Sequence, residues 1–407
     1  MEVCFLASGE TVAVLDADEF EGKTAKAVKQ TLAVKFGTSR FRQRFFLQNE
    51  SAEIADVADD EVLASPLKVH LVVLELSSPD AEQRDTMISA SSGNDLVLLE
   101  KLLQYPLNPN ANDIGGLSPL HHAAFSGNVE AARLLLEAQA QIDQRDSLGN
   151  TPLHVAAHLS HFDIVCLLVE AGAFKDQVND DGETPLWVAA RQGHVSVVRF
   201  LVEAGAAKDH PRDFDSATPL GIAAQQGHLD TVRLLAEVGA EKDILRDYDT
   251  ATPLWIAAQR GHLDTVRLLS EVGAAKDQTN DCCATPLWIA AQEGHLDVVG
   301  FLIEIGAAKD QADHRGATPL FIAASNGHLD VVRLLLEVGA DKDQPLCDGE
   351  TPLCVAASKG HLDVTRCLLA SGADRDAAVD WALQLGLGEV VGILTELGAK
   401  SPKDPKD

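Results

Sequence analysis

From Thr184 to Ala206 the chain reads TPLWVAARQGHVSVVRFLVEAGA. Thr184 followed by Pro185 has the form of a helix start. The hydroxyl can accept an orphan N–H, and proline suits a first turn whose N–H is not needed. The small pair Ala189-Ala190 lets a neighbouring helix approach closely, and Gly193 predicts the end of this short helix. A second helix is expected from Val195 to Ala204, with Val197, Val198, Phe200, Leu201 and Val202 apolar and Gly205-Ala206 closing it. Upstream, Asn179-Asp180-Asp181-Gly182 has turn chemistry and predicts a β-hairpin finger. Such a unit cannot bury its apolar face alone, so it must stack on copies of itself.

The copies are present. SPL or TPL begins at Ser118, Thr151, Thr184, Thr218, Thr252, Thr285, Thr318 and Thr351, at spacings of 33 or 34 residues. Each triplet leads to an Ala-Ala pair, then Gly-His or a near variant, then an apolar run ending at Gly-Ala or close to it. The pattern DxxGxTPLHxAAxxGHxxxVxxLLxxGA resembles the ankyrin repeat over about residues 82 to 398. Ten units are expected, eight of them full. Thr86 to Gln104 resembles a first repeat without its TPL, and Ala377 to Gly398 a last repeat with a shortened finger, as caps should be. The resemblance implies a mainly α solenoid of helix pairs with β-hairpin fingers, spanning residues 82–398.

Residues 1–77 carry no repeat. Glu2 to Leu6, Thr11 to Asp16, Phe41 to Leu47 and Val69 to Leu76 read as strands, and Gly22 to Phe36 as a helix with Ala25, Val28, Leu32 and Val34 near one face. This order, with QRFF at Gln43 to Phe46 and HLVVLEL at His70 to Leu76, resembles the small α+β ubiquitin-like domains of the β-grasp fold. The resemblance implies a recognition face at Phe46, His70 and Val72. A core role, in which those residues dock on the first repeat, is the competing reading. The family's terminal diglycine is missing, since the last strand runs into Ser77-Ser78-Pro79-Asp80, so conjugation is not expected. Residues 399–407 form a polar, proline-containing tail that is expected to be disordered.

Composition narrows the function classes. The formal net charge is −29, which disfavours unassisted nucleic-acid binding and repels an anionic membrane. A protein partner of basic or mixed charge fits better. Seven cysteines without a CxxC point to free thiols in a reducing compartment, and no signal peptide or membrane span is expected. These readings predict a cytoplasmic monomer, with a nuclear location left open.

Constellations that could suggest chemistry are absorbed by the period. Seven histidines (His161, His194, His228, His262, His295, His328 and His361) share one repeat position, and His121 and His154 share another. Same-position residues on stacked helices are about 10 Å apart, too far to share a zinc ion. Asp-to-Arg pairs at i,i+3 and the glutamate ladder from Glu137 to Glu337 fit a solvated helix face. Trp187, Trp255, Trp288 and Phe321 could line an inner groove or pack between repeats. No P-loop, GxSxG, HExxH or kinase-type loop occurs, so no catalysis, metal or cofactor is expected.

A partner is therefore expected at positions the repeat leaves unfixed. The resemblance puts these at the finger tips and at the two residues after each Ala pair, facing a concave groove. Two fingers carry an extra residue, HPRDFDSATPL from His210 and ILRDYDTATPL from Ile244, each with an aromatic among aspartates beside an arginine. The central stretch of Arg191, Gln192, Phe214, Gln225, Gln226, Tyr248, Gln259 and Arg260 is the expected contact. Aromatic and Arg side chains are favoured at such centres, although a ring packed on its own finger would read the same. The leading expectation is a non-catalytic adaptor. Its alternatives are a ubiquitin- or proteasome-pathway adaptor using the N-terminal domain, and the regulatory subunit of an enzyme.

Overall fold

The repeats begun by Thr218, Thr252, Thr285, Thr318 and Thr351 open on the hydrogen bond their sequence predicts. Thr218 Oγ1 accepts the Gly221 N–H at 3.1 Å, Thr285 the Trp288 N–H at 3.1 Å and Thr318 the Phe321 N–H at 3.1 Å, with proline in the first turn. In this computed structural model the described residues are 2–5, 11–14, 23–36, 39–48, 54–59, 68–73, 77–105, 107–245 and 250–399. They are mainly helical and fall into two compact units, Met1–Pro185 and Leu186–Asp407.

The first unit begins with a five-stranded sheet. Its strands are β1 (Glu2–Phe5), β2 (Thr11–Val14), β3 (Gln43–Gln48), β4 (Ile54–Asp56) and β5 (Lys68–Val73), in the order β2-β1-β5-β3-β4. Strands β1 and β5 run parallel, and the other pairs run antiparallel. Helix α1 (Ala25–Phe36) contributes buried Ala25, Val28 and Leu32 to a core that includes Phe45 and Leu71, partners across β3 and β5.

Three local expectations change. Val34 is exposed, because two residues of helix rotate it some 200° from Leu32. Phe41 lies in a 3-10 turn, Arg40–Arg42, begun by Ser39 Oγ accepting the Phe41 N–H. The three-residue strand β4 is too short to show an alternation in sequence.

A buried cation joins this sheet to the repeats that follow. Arg40 is 2% exposed and reaches Asp59 at 3.4 Å, Glu100 at 2.9 Å and Glu137 at 2.9 Å. Lys26 also pairs with Glu100, Lys29 with Asp59 at 2.7 Å, and the Arg44 guanidinium donates to the Gln104 carbonyl at 2.6 Å. Partial burial of Glu100 works against its charge, but hydrogen bonds from Lys26 and Arg40 prevail and hold its carboxyl below the usual range. Glu100 lies within the helix Leu96–Leu103 and Glu137 ends the helix Val129–Glu137, so one guanidinium ties the sheet to two successive repeats. Glu137 is thus drawn out of the solvated glutamate ladder.

The first helix pair, Ala81–Ser92 and Leu96–Leu103, lacks TPL and is started by an Asp80 capping box. In the second unit the pairing continues to Arg375–Gln384 with Gly388–Ala399. The fingers form tight turns instead of paired strands. In the fingers begun by Asp146, Asn179, Asn280 and Asp313, one Asp or Asn oxygen takes N–H groups two and four residues on, as Asn280 does from Cys282 at 3.1 Å and Ala284 at 2.9 Å. A side chain that supplies both bonds removes the need for a β ladder.

Three hydrogen bonds recur from repeat to repeat within each unit. Where the residue after TPL is Trp, it donates to a carbonyl in the next repeat: Trp187 Nε1 to Ala217 at 2.8 Å, Trp255 to Ala284 at 3.1 Å and Trp288 to Ala317 at 2.9 Å. His121 and His154 make the same bond to Asn150 and Glu183. The tryptophans therefore pack between repeats and do not line a groove. In the second unit the Asp of each KD pair accepts an N–H from the next repeat, as Asp243 does from Ala275 at 2.9 Å. In the third bond, the histidine of Gly-His donates Nε2–H to a carbonyl one repeat back, His295 to Gln259 at 3.0 Å and His328 to Gln292 at 2.9 Å. Its ring lies across the helix-ending glycine. A Cβ on Gly261 (φ +71°) would come within 2.6 Å of His295 Nδ1.

Gly261→Ala is therefore expected to cost about 1 kcal/mol for the left-handed backbone and a further ~1–3 kcal/mol for overpacking. Gly372→Ala (φ +79°, nothing within 4 Å) should show only the first loss. Urea midpoints of the two variants measure the difference, and equal shifts would remove the imidazole from the account.

His154 generates a pH dependence. Its Nδ1 accepts the Thr151 N–H at 3.1 Å, so Nε2 carries the proton given to Glu183. Burial lowers its pKa to about 4, and His121 is lowered for the same reason. The unfolded chain binds a proton that the folded chain refuses, so stability is complete above pH ~6.5 and falls as the pH drops towards 4, by up to about 3 kcal/mol. Thermal midpoints over that window should fall less steeply in His154→Gln than in the parent.

Candidate partner-binding site

In the second unit the Ala pairs are followed by Arg191-Gln192, Gln225-Gln226, Gln259-Arg260 and Gln292-Glu293. Each Ala pair is buried against neighbouring helices, which turns the next two residues towards the helix end and the solvent. Gln226, Arg260 and Glu293 are exposed, and Arg191, Gln192, Gln225, Gln259 and Gln292 are half-buried. Their backbone is held. The carbonyl of Arg191 accepts from His228 at 3.0 Å, that of Gln225 from His262 at 3.1 Å and that of Gln259 from His295 at 3.0 Å. The histidine rungs thus hold the backbone of the residues at these helix ends, which lowers the ordering cost of a contact made there.

The finger around Phe214 is braced from below. Arg212 forms a two-pronged bond to Asp215, Nε to Oδ1 at 2.9 Å and Nη2 to Oδ2 at 2.7 Å, and the Asp215 side chain is almost wholly buried. Asp215 Oδ1 also accepts the Ala217 N–H at 3.1 Å, the finger role that Asn280 plays elsewhere. The Arg212 guanidinium lies 4.8 Å from the Trp187 ring and 5.9 Å from Phe214, with Arg191 at 5.4 Å from Trp187. Cation–π contacts of this kind hold the finger over the end of the first helix. Phe214 itself is 81% exposed.

Arg191, Gln192, Gln225, Gln226, Gln259 and Arg260 therefore stand at equivalent helix ends, with Phe214 on an adjoining finger. Tyr248 lies outside the described residues. In the first unit, Phe46 and His70 are paired across β3 and β5, as are Arg44 and Val72. Val72 is half-buried, and the side chains of Phe46 and His70 lie outside the described residues. The sequence did not single out Arg212 and Asp215, although their i,i+3 spacing and the aromatic between them were a usable signal. It gave no signal for Arg40.

Among the described residues no group of three or more His, Cys, Asp or Glu side chains is placed to hold a metal ion. Among them, too, no helix is long and apolar enough to cross a membrane. A site of amides, guanidinium groups and one exposed ring can make hydrogen bonds and bury a ring.

A family model described as ankyrin repeats (3 copies) matches residues 86–179, 173–246, 208–280, 238–313 and 254–345. A second, described as ankyrin repeat, matches residues 348–380. Caskin-1 of Rattus norvegicus and Caskin-1 of Mus musculus are each 39% identical over 70 residues, 14% of this chain. That stretch spans only 5% of the length of those relatives.

Asp215→Asn should leave Arg212 without its counter-charge at a largely buried carboxyl. We expect a loss of about 1–3 kcal/mol and a shifted tryptophan emission as the guanidinium leaves Trp187. Urea unfolding followed by fluorescence checks both, and an unchanged midpoint would show that the finger does not need this brace.

Proposed function

The chain belongs to the ankyrin-repeat family, and from that premise we propose that it is a non-catalytic adaptor that holds a protein partner against Arg191, Gln192, Phe214, Gln225, Gln226, Gln259 and Arg260. Tyr248, on the second lengthened finger, completes the contact in this reading. The observation that carries it is Phe214, a large ring left in water on a finger whose position is held by Arg212, Asp215 and Trp187. An aromatic anchor beside arginines, already ordered, is what a binding hot spot requires. The partner is a protein of basic or mixed charge, matched to the net charge of −29. The adaptor is a cytoplasmic monomer, with residues 82–398 as the array and 399–407 as a tail.

A second reading gives residues 1–77 their own task. The strand order β2-β1-β5-β3-β4, with a helix after the first hairpin, supports a ubiquitin-like β-grasp domain. In that case Phe46, His70 and Val72 offer a face to ubiquitin receptors, and the repeats hold a client. Retention of the full chain by immobilised ubiquitin-binding domains, lost in Phe46→Ala, is the expected result, and no retention refutes this reading.

For the adaptor reading, the full chain and Phe214→Ala are compared by affinity capture from lysate, followed by titration of the captured partner. Phe214→Ala should weaken binding about tenfold or more while the melting temperature moves by less than about 2 °C. Undiminished binding, or a large fall in melting temperature, would instead make Phe214 a structural residue.

A further inference from the structure

Three pieces of the first unit meet without closing on one another. Thr24 and Lys26 stand at the start of helix α1. Beyond β4, the Val57 N–H donates to the Phe45 carbonyl and the Lys26 N–H to the Asp59 carbonyl, each at 2.9 Å, which holds residues 57–59 between β3 and α1. The helix Leu96–Leu103 of the first repeat supplies Glu100, and Gln104 is its C-cap. Between them lies a cavity of about 750 Å³ whose lining includes Thr24, Lys26, Arg44, Val57, Asp59 and Glu100. A volume of that order suits a small molecule.

The charges of this group do not cancel. Asp59 is paired with Lys29 and Arg40, Glu100 with Lys26 and Arg40, and Glu137, outside the lining, with Arg40. Arg44 reaches no carboxylate among the described residues. Its Nη2 donates to the Gln104 carbonyl at 2.6 Å. A neutral carbonyl takes one of the five guanidinium N–H groups and none of the charge. Lys26, Lys29, Arg40 and Arg44 thus meet Asp59, Glu100 and Glu137 with one positive charge over, in a chain whose net charge is −29. Arg44 is also placed in advance. It pairs with Val72 across β3 and β5, and its side chain is half-buried.

We propose that this cavity is a binding site for a small organic carboxylate, with Arg44 holding the carboxylate group and Lys26 beside it. The planar guanidinium fork matches a carboxylate through two parallel N–H···O bonds. One negative charge cancels the excess. A phosphate monoester carries up to about two charges and would leave the group net negative beside Asp59 and Glu100. Val57 and Ala58 give the body of the ligand an apolar wall. The site uses none of the residues assigned above to a protein partner. A ligand bound there touches both the sheet and the first repeat, and binding to the folded chain alone raises its stability.

The test screens the full chain against a library of carboxylate fragments, each matched with its neutral primary amide, by ligand-observed NMR and thermal melting. Carboxylates should bind and raise the melting temperature, and their amides and inorganic phosphate should bind more weakly. Arg44→Gln keeps a donor for the Gln104 carbonyl, removes the charge, and should weaken the bound carboxylates about tenfold or more. Ala58→Phe alters an exposed position of the lining and should block the cavity while melting like the parent in the absence of ligand. Should Arg44→Gln fail to fold, Ala58→Phe decides alone. The proposal is overturned if no carboxylate binds, if amides or phosphate bind as tightly, or if either folded variant binds like the parent.

Discussion

The histidine after each helix-ending glycine carries two constraints at once. Its ring needs a neighbour without a Cβ, and its Nε2–H needs a carbonyl one repeat back. Glycine satisfies the first by taking positive φ, which also ends the first helix and starts the turn into the second. The carbonyl belongs to the residue just after the Ala pair, so the bond that spaces the repeats also holds the residues offered to a partner. Spacing and presentation share one contact, which ties the repeat length to the site.

That contact was legible in sequence as a period and illegible as geometry. Gly-His at 33- or 34-residue spacing identifies the repeat, because each unit writes its caps, turn and apolar face within a few residues. The direction in which the imidazole reaches is not local. It depends on a carbonyl 36 or 37 residues earlier, and no composition marks that residue. The tryptophans show the same limit. Trp187 could line a groove or pack between repeats, and its bond to Ala217 decided for packing.

The Arg40 cluster was beyond sequence for a different reason. Glu137 sits in a ladder of equivalent glutamates, and only the tertiary approach of Arg40, 97 residues away, distinguishes it. Charged residues of one type at one repeat position look alike until one of them meets a counter-ion. The finger at Phe214 lies between these cases. Its extra residue and aromatic were visible, while the brace beneath it, Arg212 held by Asp215 under the Trp187 face, exists only in the folded chain.

A stack of like units can grow or shrink wherever a unit meets only its own kind. The Asp and His bonds of the second unit join repeat to repeat in one pattern, so a copy gained or lost there leaves those bonds with equivalent partners. The N-terminal end has no such freedom. Arg40 draws its carboxylates from the sheet and from the first two repeats together, and a repeat inserted between those two would strand a buried cation. The array therefore has a fixed origin, and its length can have changed only downstream of it.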